Sequence, residues 1–227
     1  ETPQFKEQGH GLGVTDDGRW AFIYSSTGTD NRNELRVIDL ENRADGSWQT
    51  RDIVTGFENE WSPIASTGDT VYFMTNKDAP RYRIVRADLT QPTLQWEEVV
   101  PQGDNPISGA SIIGDRLVVE FMQDASSRAV YYDLDGNRTR ELDLPGIGSI
   151  AGFGGKPGDS ETFYSFTSFN QPGAIYRLDV DSGETLFKLE HEVRSMTHPL
   201  YARPLVNRNP AVNFFTYRKG NEIFTPS

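Results

Sequence analysis

Three histidines, His10, His191 and His198, and no cysteine leave few nucleophile and base pairs to weigh in this chain of 227 residues. Without cysteine there is no thiolate nucleophile, thiolate metal ligand or disulfide framework. A serine nucleophile in an α/β-hydrolase setting needs a sharp strand-to-helix elbow, Gly-x-Ser-x-Gly, because small flanking residues expose the hydroxyl beside its oxyanion hole. The nearest approach is Gly109-Ala110-Ser111-Ile112-Ile113, whose fifth position is Ile within an apolar strand. No histidine is tied by order to an Asp and a Ser, so no catalytic residue is assigned.

The acids read as structural. Asp133-Leu134-Asp135-Gly136 and Asp179-Val180-Asp181-Ser182-Gly183 resemble the start of a calcium loop but lack the further ligands and terminal Glu, and both sit where a hairpin must turn. His191 and His198 have no partner at zinc spacing, so no metal and no cofactor is expected. Glu58, Glu60 and Trp61, and again Trp96, Glu97 and Glu98, place acids beside indoles as a sugar-cleaving site would. Such a site requires carboxylates facing each other across a substrate, whereas these fall at strand ends and read as rim charges around a partly buried Trp. Thr27-Gly28-Thr29-Asp30 leads into Asn31, Arg32 and Asn33, a polar loop open to two readings: a binding loop or an ordinary strand connection.

The elements that would position these residues are short strands. Runs of β-branched and aromatic residues, such as Trp20 to Ser26, Thr70 to Thr75, Arg116 to Met122 and Thr162 to Thr167, alternate with Gly, Asp, Asn and Pro clusters. Thr185 to Val193 can be drawn as an amphipathic helical turn, but it follows Asp181-Ser182-Gly183 and reads equally well as a strand. Four segments repeat one order of parts: a small-residue strand, a Gly/Asp turn, an apolar strand, a polar loop, and a strand ending in Asp plus an aliphatic residue. The turns are Asp17-Gly18, Gly68-Asp69, Gly114-Asp115 and Gly158-Asp159, and the strand ends are Asp39-Leu40, Asp88-Leu89, Asp133-Leu134 and Asp179-Val180. Successive strand-end aspartates are 49, 45 and 46 residues apart. More polar outer strands are expected at Trp48 to Val54, Gln95 to Val100, Arg138 to Leu144 and Thr185 to Leu189. A period in the forties with four strands per unit predicts an all-β protein built from four four-stranded β-propeller blades, where a β-sandwich predicts no such spacing. The repeat units span about 10–56, 61–101, 107–145 and 149–190.

Glu161 to Gly183, ETFYSFTSFNQPGAIYRLDVDSG, resembles the last blade of the propeller in the prolyl oligopeptidase (prolyl endopeptidase) family. Leu12 to Leu35, LGVTDDGRWAFIYSSTGTDNRNEL, and Phe73 to Leu89, FMTNKDAPRYRIVRADL, are similar to its middle blades, in the right order. The resemblance implies that residues 1–191 form four blades of a seven-bladed propeller. It further implies an attached α/β-hydrolase domain, a serine peptidase cleaving short peptides after proline, with the propeller covering the active site and screening substrates by size. The expected partners are that domain and short proline-containing peptides. By the same resemblance, Gly28 and Thr29 line a pocket for a substrate residue upstream of the scissile proline. The chain alone is expected to be inactive, since Ser, Asp and His come from the other domain.

Residues 192–212 do not resemble the family, while Phe214 to Gly220, FFTYRKG, is similar to its first hydrolase strand. The segment 192–227 is thus expected to be a junction to the hydrolase in a truncated or altered chain, or a cap built from Phe214, Phe215, Tyr217, Ile223 and Phe224. Uncapped blade faces would drive self-association. The rival reading is a free-standing propeller module that binds a peptide or protein partner. A net charge of -11 and a pI near 4.7, with Lys and Arg scattered among the acids, oppose binding to nucleic acid. No stretch approaches the roughly 18 apolar residues of a membrane span, and the start of the chain lacks a signal-peptide pattern, so a cytoplasmic or periplasmic location is expected.

Overall fold

Sixteen strands form four separate antiparallel sheets in a computed structural model that describes residues 7–43, 46–169, 171–190, 217–219 and 222–224. The first sheet comprises β1 (Gln8–Val14), β2 (Trp20–Thr27), β3 (Asn33–Asp39) and β4 (Thr50–Val54). The second comprises β5 (Trp61–Thr67), β6 (Thr70–Thr75), β7 (Arg83–Asp88) and β8 (Glu97–Val100), and the third β9 (Ile107–Ile113), β10 (Arg116–Gln123), β11 (Ser126–Tyr132) and β12 (Arg138–Glu141). The fourth comprises β13 (Ser149–Gly154), β14 (Glu161–Ser168), β15 (Gln171–Asp179) and β16 (Thr185–Glu190). In every sheet the strands pair in chain order, each with its sequence neighbours. No helix occurs among the described residues. This is the all-β propeller architecture that the spacing requires, and the four apolar second strands occupy equivalent inner positions in four different sheets.

Each blade is a meander because short turns join antiparallel strands, and the register keeps alternate side chains on opposite faces. In the first sheet Trp20, Phe22, Leu35 and Val37 point to the second, where Trp61, Val71, Phe73, Val85 and Leu89 meet them. The other face of the second sheet sends Tyr72 and Ile84 against Ile107, Ile112, Leu117 and Val119 of the third. Val118, Ala129 and Tyr131 turn from the third sheet to Tyr164, Phe166, Tyr176 and Leu178 of the fourth. Every joint is thus an apolar sandwich, and the two middle sheets are buried on both faces. Leu12 and Val14 on the first sheet and Phe163 and Ile175 on the fourth are exposed, on the outermost sheets of the stack.

The first three outer strands are shorter than expected, two of them for visible reasons. Trp48 lies outside β4: its indole N–H donates to the Leu40 carbonyl at 3.3 Å and its ring lies under the Arg43 guanidinium. Trp96 precedes β8 because its ring packs on Trp61, with centroids 4.7 Å apart, and on Phe73 at 5.3 Å. The segment open to helix or strand is strand β16 as far as Glu190, and residues 191–193 lie outside the described residues. In the tail, β17 (Tyr217–Lys219) and β18 (Glu222–Phe224) form a hairpin, with β17 beside β16. Phe214 and Phe215 of the expected cap lie outside the described residues.

Polar stitches tie the blades at the loops. The Asn33 side chain, itself buried, accepts from the Trp61 N–H at 2.7 Å and donates to the Trp61 carbonyl at 3.0 Å, and the Asn33 N–H donates to the Asn59 carbonyl at 3.1 Å. One amide side chain here does the work of a neighbouring strand's peptide group. Removing it leaves two buried backbone groups of Trp61 without these partners, at roughly 1–3 kcal/mol each. We expect Asn33→Ala to lower unfolding stability in urea by about 2–4 kcal/mol, and Asn31→Ala in the exposed loop by less than about 0.5 kcal/mol. Equal midpoints for the two variants would contradict the stitch.

Candidate functional site

Because the strands alternate in direction, the loops divide between two ends of the blades. The β2–β3, β6–β7, β10–β11 and β14–β15 turns share one end, here the upper face, with the β4–β5, β8–β9 and β12–β13 connections. The tight Gly/Asp turns and the Asp-aliphatic corners occupy the lower face. Five non-glycine residues among those described have positive φ, namely Phe57, Asp78, Tyr82, Asp124 and Ala125, and all five lie in upper loops. That backbone region is costly for residues with a Cβ, so the surrounding structure must hold each of them there.

Gly28 and Thr29 stand exposed at the tip of the β2–β3 turn on this face. Gly28 has φ 57, a conformation it adopts without a steric penalty, and its N–H donates to the Glu7 carbonyl at 3.1 Å. Beside them Asp30 accepts from the Arg32 backbone N–H at 2.9 Å and from its guanidinium Nε at 2.9 and 3.0 Å. Those side-chain hydrogen bonds hold the Asp30 carboxyl down at about 2. The loop therefore absorbs its own charge and presents small, uncharged atoms at Gly28 and Thr29. Asn33, grouped with them in the sequence, is drawn away into the joint with the second blade.

The neighbouring β4–β5 connection is fixed from several sides. The Gly56 N–H donates to Glu34 Oε1 at 2.8 Å, and the Glu60 N–H donates to Asn76 Oδ1 at 2.8 Å. The Tyr82 hydroxyl donates to Glu60 Oε2 at 2.6 Å, and that hydrogen bond, with burial behind it, pushes the phenol up to about 12. Sequence reading missed this Glu60–Tyr82 contact, since the residues are far apart in the chain and no motif links them.

The other sequence candidates are dispersed. Trp61 is buried in the core rather than partly exposed at a rim, while Glu97 pairs with Arg86 at 2.9 Å and Glu98 with Arg83 at 3.1 Å, so no carboxylates face across a cleft there. Asp133 accepts from the N–H groups of Asp135 and Asn137 at 3.0 and 2.8 Å, and Asp179 from the N–H and hydroxyl of Ser182 at 2.8 and 2.9 Å. These oxygens are spent on turns of the lower face. Ser111 lies within β9, not on an elbow. His10 Nδ1 is 3.0 Å from Ser25 Oγ, but Ser25 is buried in mid-strand and is no exposed nucleophile. His191 and His198 lie outside the described residues. A pocket of about 110 Å³ opens between β1 and β5, lined by Gly13, Val14, Phe22, Tyr24, Pro63 and Ile64 among others, and Gly28 and Thr29 are not part of it.

Residues 1–190 match the family model of the prolyl oligopeptidase N-terminal beta-propeller domain. Over 198 residues the chain is 33% identical to a prolyl endopeptidase of Elizabethkingia miricola, covering 87% of this chain and 25% of that protein. A prolyl endopeptidase of Elizabethkingia meningoseptica is 31% identical over 88% of this chain and 26% of its own length. A solved structure from a study of two prolyl endopeptidases and their inter-domain dynamics superposes with a TM-score of 0.75 at 35% identity, over 81% of this chain and 27% of that one. The chain thus spans about a quarter of the length of these relatives. Prolyl oligopeptidase B from Galerina marginata shares the fold at a TM-score of 0.72 and 22% identity.

The Glu60–Tyr82 hydrogen bond gives a direct titration test. A phenol whose pKa is raised on folding adds stability that is complete below its unfolded value near 10 and is lost as pH rises through the folded value. Besides Tyr131, which burial also raises to about 12, ultraviolet titration should show a second tyrosine, Tyr82, ionising at about 12. Glu60→Gln should bring that ionisation down and reduce the pH dependence of stability above about 10. An unchanged titration in Glu60→Gln would show that the hydrogen bond does not set it.

Proposed function

We propose, for a chain that belongs to the prolyl oligopeptidase family through its N-terminal β-propeller domain, that it is a non-catalytic cover acting on short peptides together with a serine peptidase domain. The observation that carries this reading is the run of four complete blades over the matched residues, in which the Ser most like a nucleophile, Ser111, is locked in a strand. Hydrolysis requires a hydroxyl exposed on an elbow with a base and an oxyanion hole brought beside it, and sheets packed face to face supply a barrier instead. Polar, conformationally fixed loops on the upper face support a role in admitting substrate, because loops on a rigid scaffold present contacts without distorting it. In this reading the ring of blades excludes bulky proteins and passes short proline-containing peptides. Gly28 and Thr29 line the pocket for a residue upstream of the proline, where small side chains leave room.

The chain alone should show no hydrolysis of a chromogenic prolyl peptide that a serine-directed inhibitor abolishes; such inhibitor-sensitive turnover would refute the non-catalytic assignment. The pocket and the gate are tested in a chimera in which residues 1–190 replace the matching segment of the Elizabethkingia miricola enzyme. Thr29→Trp should lower kcat/KM about tenfold for peptides with a bulky upstream residue, equivalent to about 1.4 kcal/mol, and spare peptides with Gly there. Equal effects on both peptides would remove Thr29 from the pocket. Cleavage of a folded protein as fast as of a short peptide would remove the gate.

A further inference from the structure

We infer that the inner edge of the first blade, strand β1 with the pocket beside it, binds a short extended peptide that pairs with β1 as an added strand and sets a proline ring in the pocket. This rests on the proposed reading of short proline-containing peptides and gives them a second contact, away from Gly28 and Thr29. The four first strands, β1, β5, β9 and β13, lie innermost: each is an edge of its own sheet, and β9 neighbours both β5 and β13. The lower ends of the first and fourth blades approach each other on that side, where Lys156 Nζ in the β13–β14 turn lies 3.6 Å from Asp16 Oδ1 in the β1–β2 turn.

An edge strand offers unpaired peptide groups to a partner, and proteins ordinarily blunt such edges with proline, charge or a bulge. Three of the four innermost strands are blunted. β5 has Pro63 with a register shift beside it, and the pairings of β9 with β10 and of β13 with β14 are each broken by a shift. β1 pairs with β2 along its 7 residues without a shift, and it contains no Asp, Glu, Lys, Arg or Pro. The Thr15 N–H donates to the Trp20 carbonyl at 2.9 Å, so Gly13 and Gly11, two and four residues back, bond to β2. Leu12 and Val14 therefore turn their N–H and C=O groups away from β2, and no backbone partner meets those groups among the described residues. Their side chains are exposed as well, Leu12 at 70% and Val14 at 54%.

The pocket selects the side chain. Its volume of about 110 Å³ holds one small side chain and lies well below the roughly 300–1,000 Å³ of a pocket for a drug-sized ligand. Phe22 and Tyr24 wall it on one side and Pro63 on the other, and it opens where Gly13 has no side chain: a Cβ there would lie 3.3 Å from the Tyr24 ring and hydroxyl. The Tyr24 hydroxyl has no hydrogen-bond partner among the described residues and is left for a peptide carbonyl. In an antiparallel pairing, the peptide residue opposite Gly13 turns its side chain over Phe22 and Tyr24 and its own N–H away from β1, so proline there costs no hydrogen bond. The two residues flanking it bond to Leu12 and Val14 and lay their side chains beside them on the opposite face. Main-chain pairing supplies the affinity, and the aromatic pocket supplies the choice of side chain.

The test titrates the full chain into a fluorescein-labelled, end-blocked peptide, Thr-Val-Pro-Val-Thr, and reads fluorescence anisotropy. Saturable binding with a Kd below about 1 mM is expected. N-methylation of both valines removes the donors to the Leu12 and Val14 carbonyls with the protein untouched, and should weaken binding at least about tenfold. Tryptophan in place of the proline, too large for the pocket, should do the same. Leu12→Pro removes an N–H that β2 does not use and should weaken binding equally, with circular dichroism reporting that the blade persists. Should that variant unfold the blade, the N-methylated peptide decides alone. Hydrogen exchange at the Leu12 and Val14 amides should slow at least about tenfold in the complex. No saturable binding, or binding indifferent to N-methylation, would overturn the site and leave the cover reading standing. Binding lost in Thr29→Trp and kept in Leu12→Pro would move the peptide to the upper loop, overturning this site while supporting the cover reading. A dimer that excess peptide fails to dissociate would show the edge taken by a second copy and would overturn it too.

Discussion

A twisted four-stranded sheet with apolar side chains on both faces has no stable existence by itself, and every blade here is such a sheet. Its faces leave water only when another blade covers them, so the joints between blades are the seat of stability. The joint between the first two blades shows the scale of this dependence: Trp20, Phe22, Trp61, Phe73 and Trp96 converge there, with Phe22 and Phe73 edge to face at 5.8 Å. The third joint uses stacked tyrosines instead, Tyr164 lying 5.2 Å from Tyr176. Different aromatic sets thus answer one geometric demand.

Apolar contact alone would let blades slide, and polar stitches at both ends prevent it. On the upper face Asn33 holds Trp61, the Ile107 N–H reaches the Arg81 carbonyl, and Ser127 binds both Gly148 and the Ile150 N–H. On the lower face Arg51, Arg86 and Arg140 each reach from one blade to carbonyls in the next, at Leu89, Leu134 and Ser182. These carbonyls sit at or beside the recurring Asp-aliphatic corners. The aspartates fold the corner by accepting N–H groups, which turns the carbonyls outward where an arginine can take them. The sequence repeat is therefore a record of a repeated joint.

With the joints fixed, the two loop faces are free to differ. The lower face is regular, acidic and occupied by turn chemistry. The upper face carries all five positive-φ non-glycine residues among those described, the Glu60–Tyr82 contact, the small atoms of Gly28 and Thr29, and the exposed Ile147 and Phe169. Rigid sheets presenting irregular loops on one face let those loops vary without disturbing the scaffold.

The four apolar second strands, the Gly/Asp turns and the 45- to 49-residue spacing were legible from residue order alone, because period-two alternation and turn chemistry are local properties. So was the absence of a nucleophile elbow at Ser111, since flanking residues decide it. What the tertiary structure decided was every partnership between residues distant in the chain. Trp61 read as a rim residue beside acids until the joint between the first two blades buried it, with Trp96 half-buried against it. Asn33 read as part of a polar loop with Asn31 and Arg32, and its role as a substitute strand exists only where the second blade brings up the Trp61 backbone. Ile147 and Phe169 carried no signal in sequence because exposure depends on which face a loop reaches, and that follows from the direction of strands many residues away.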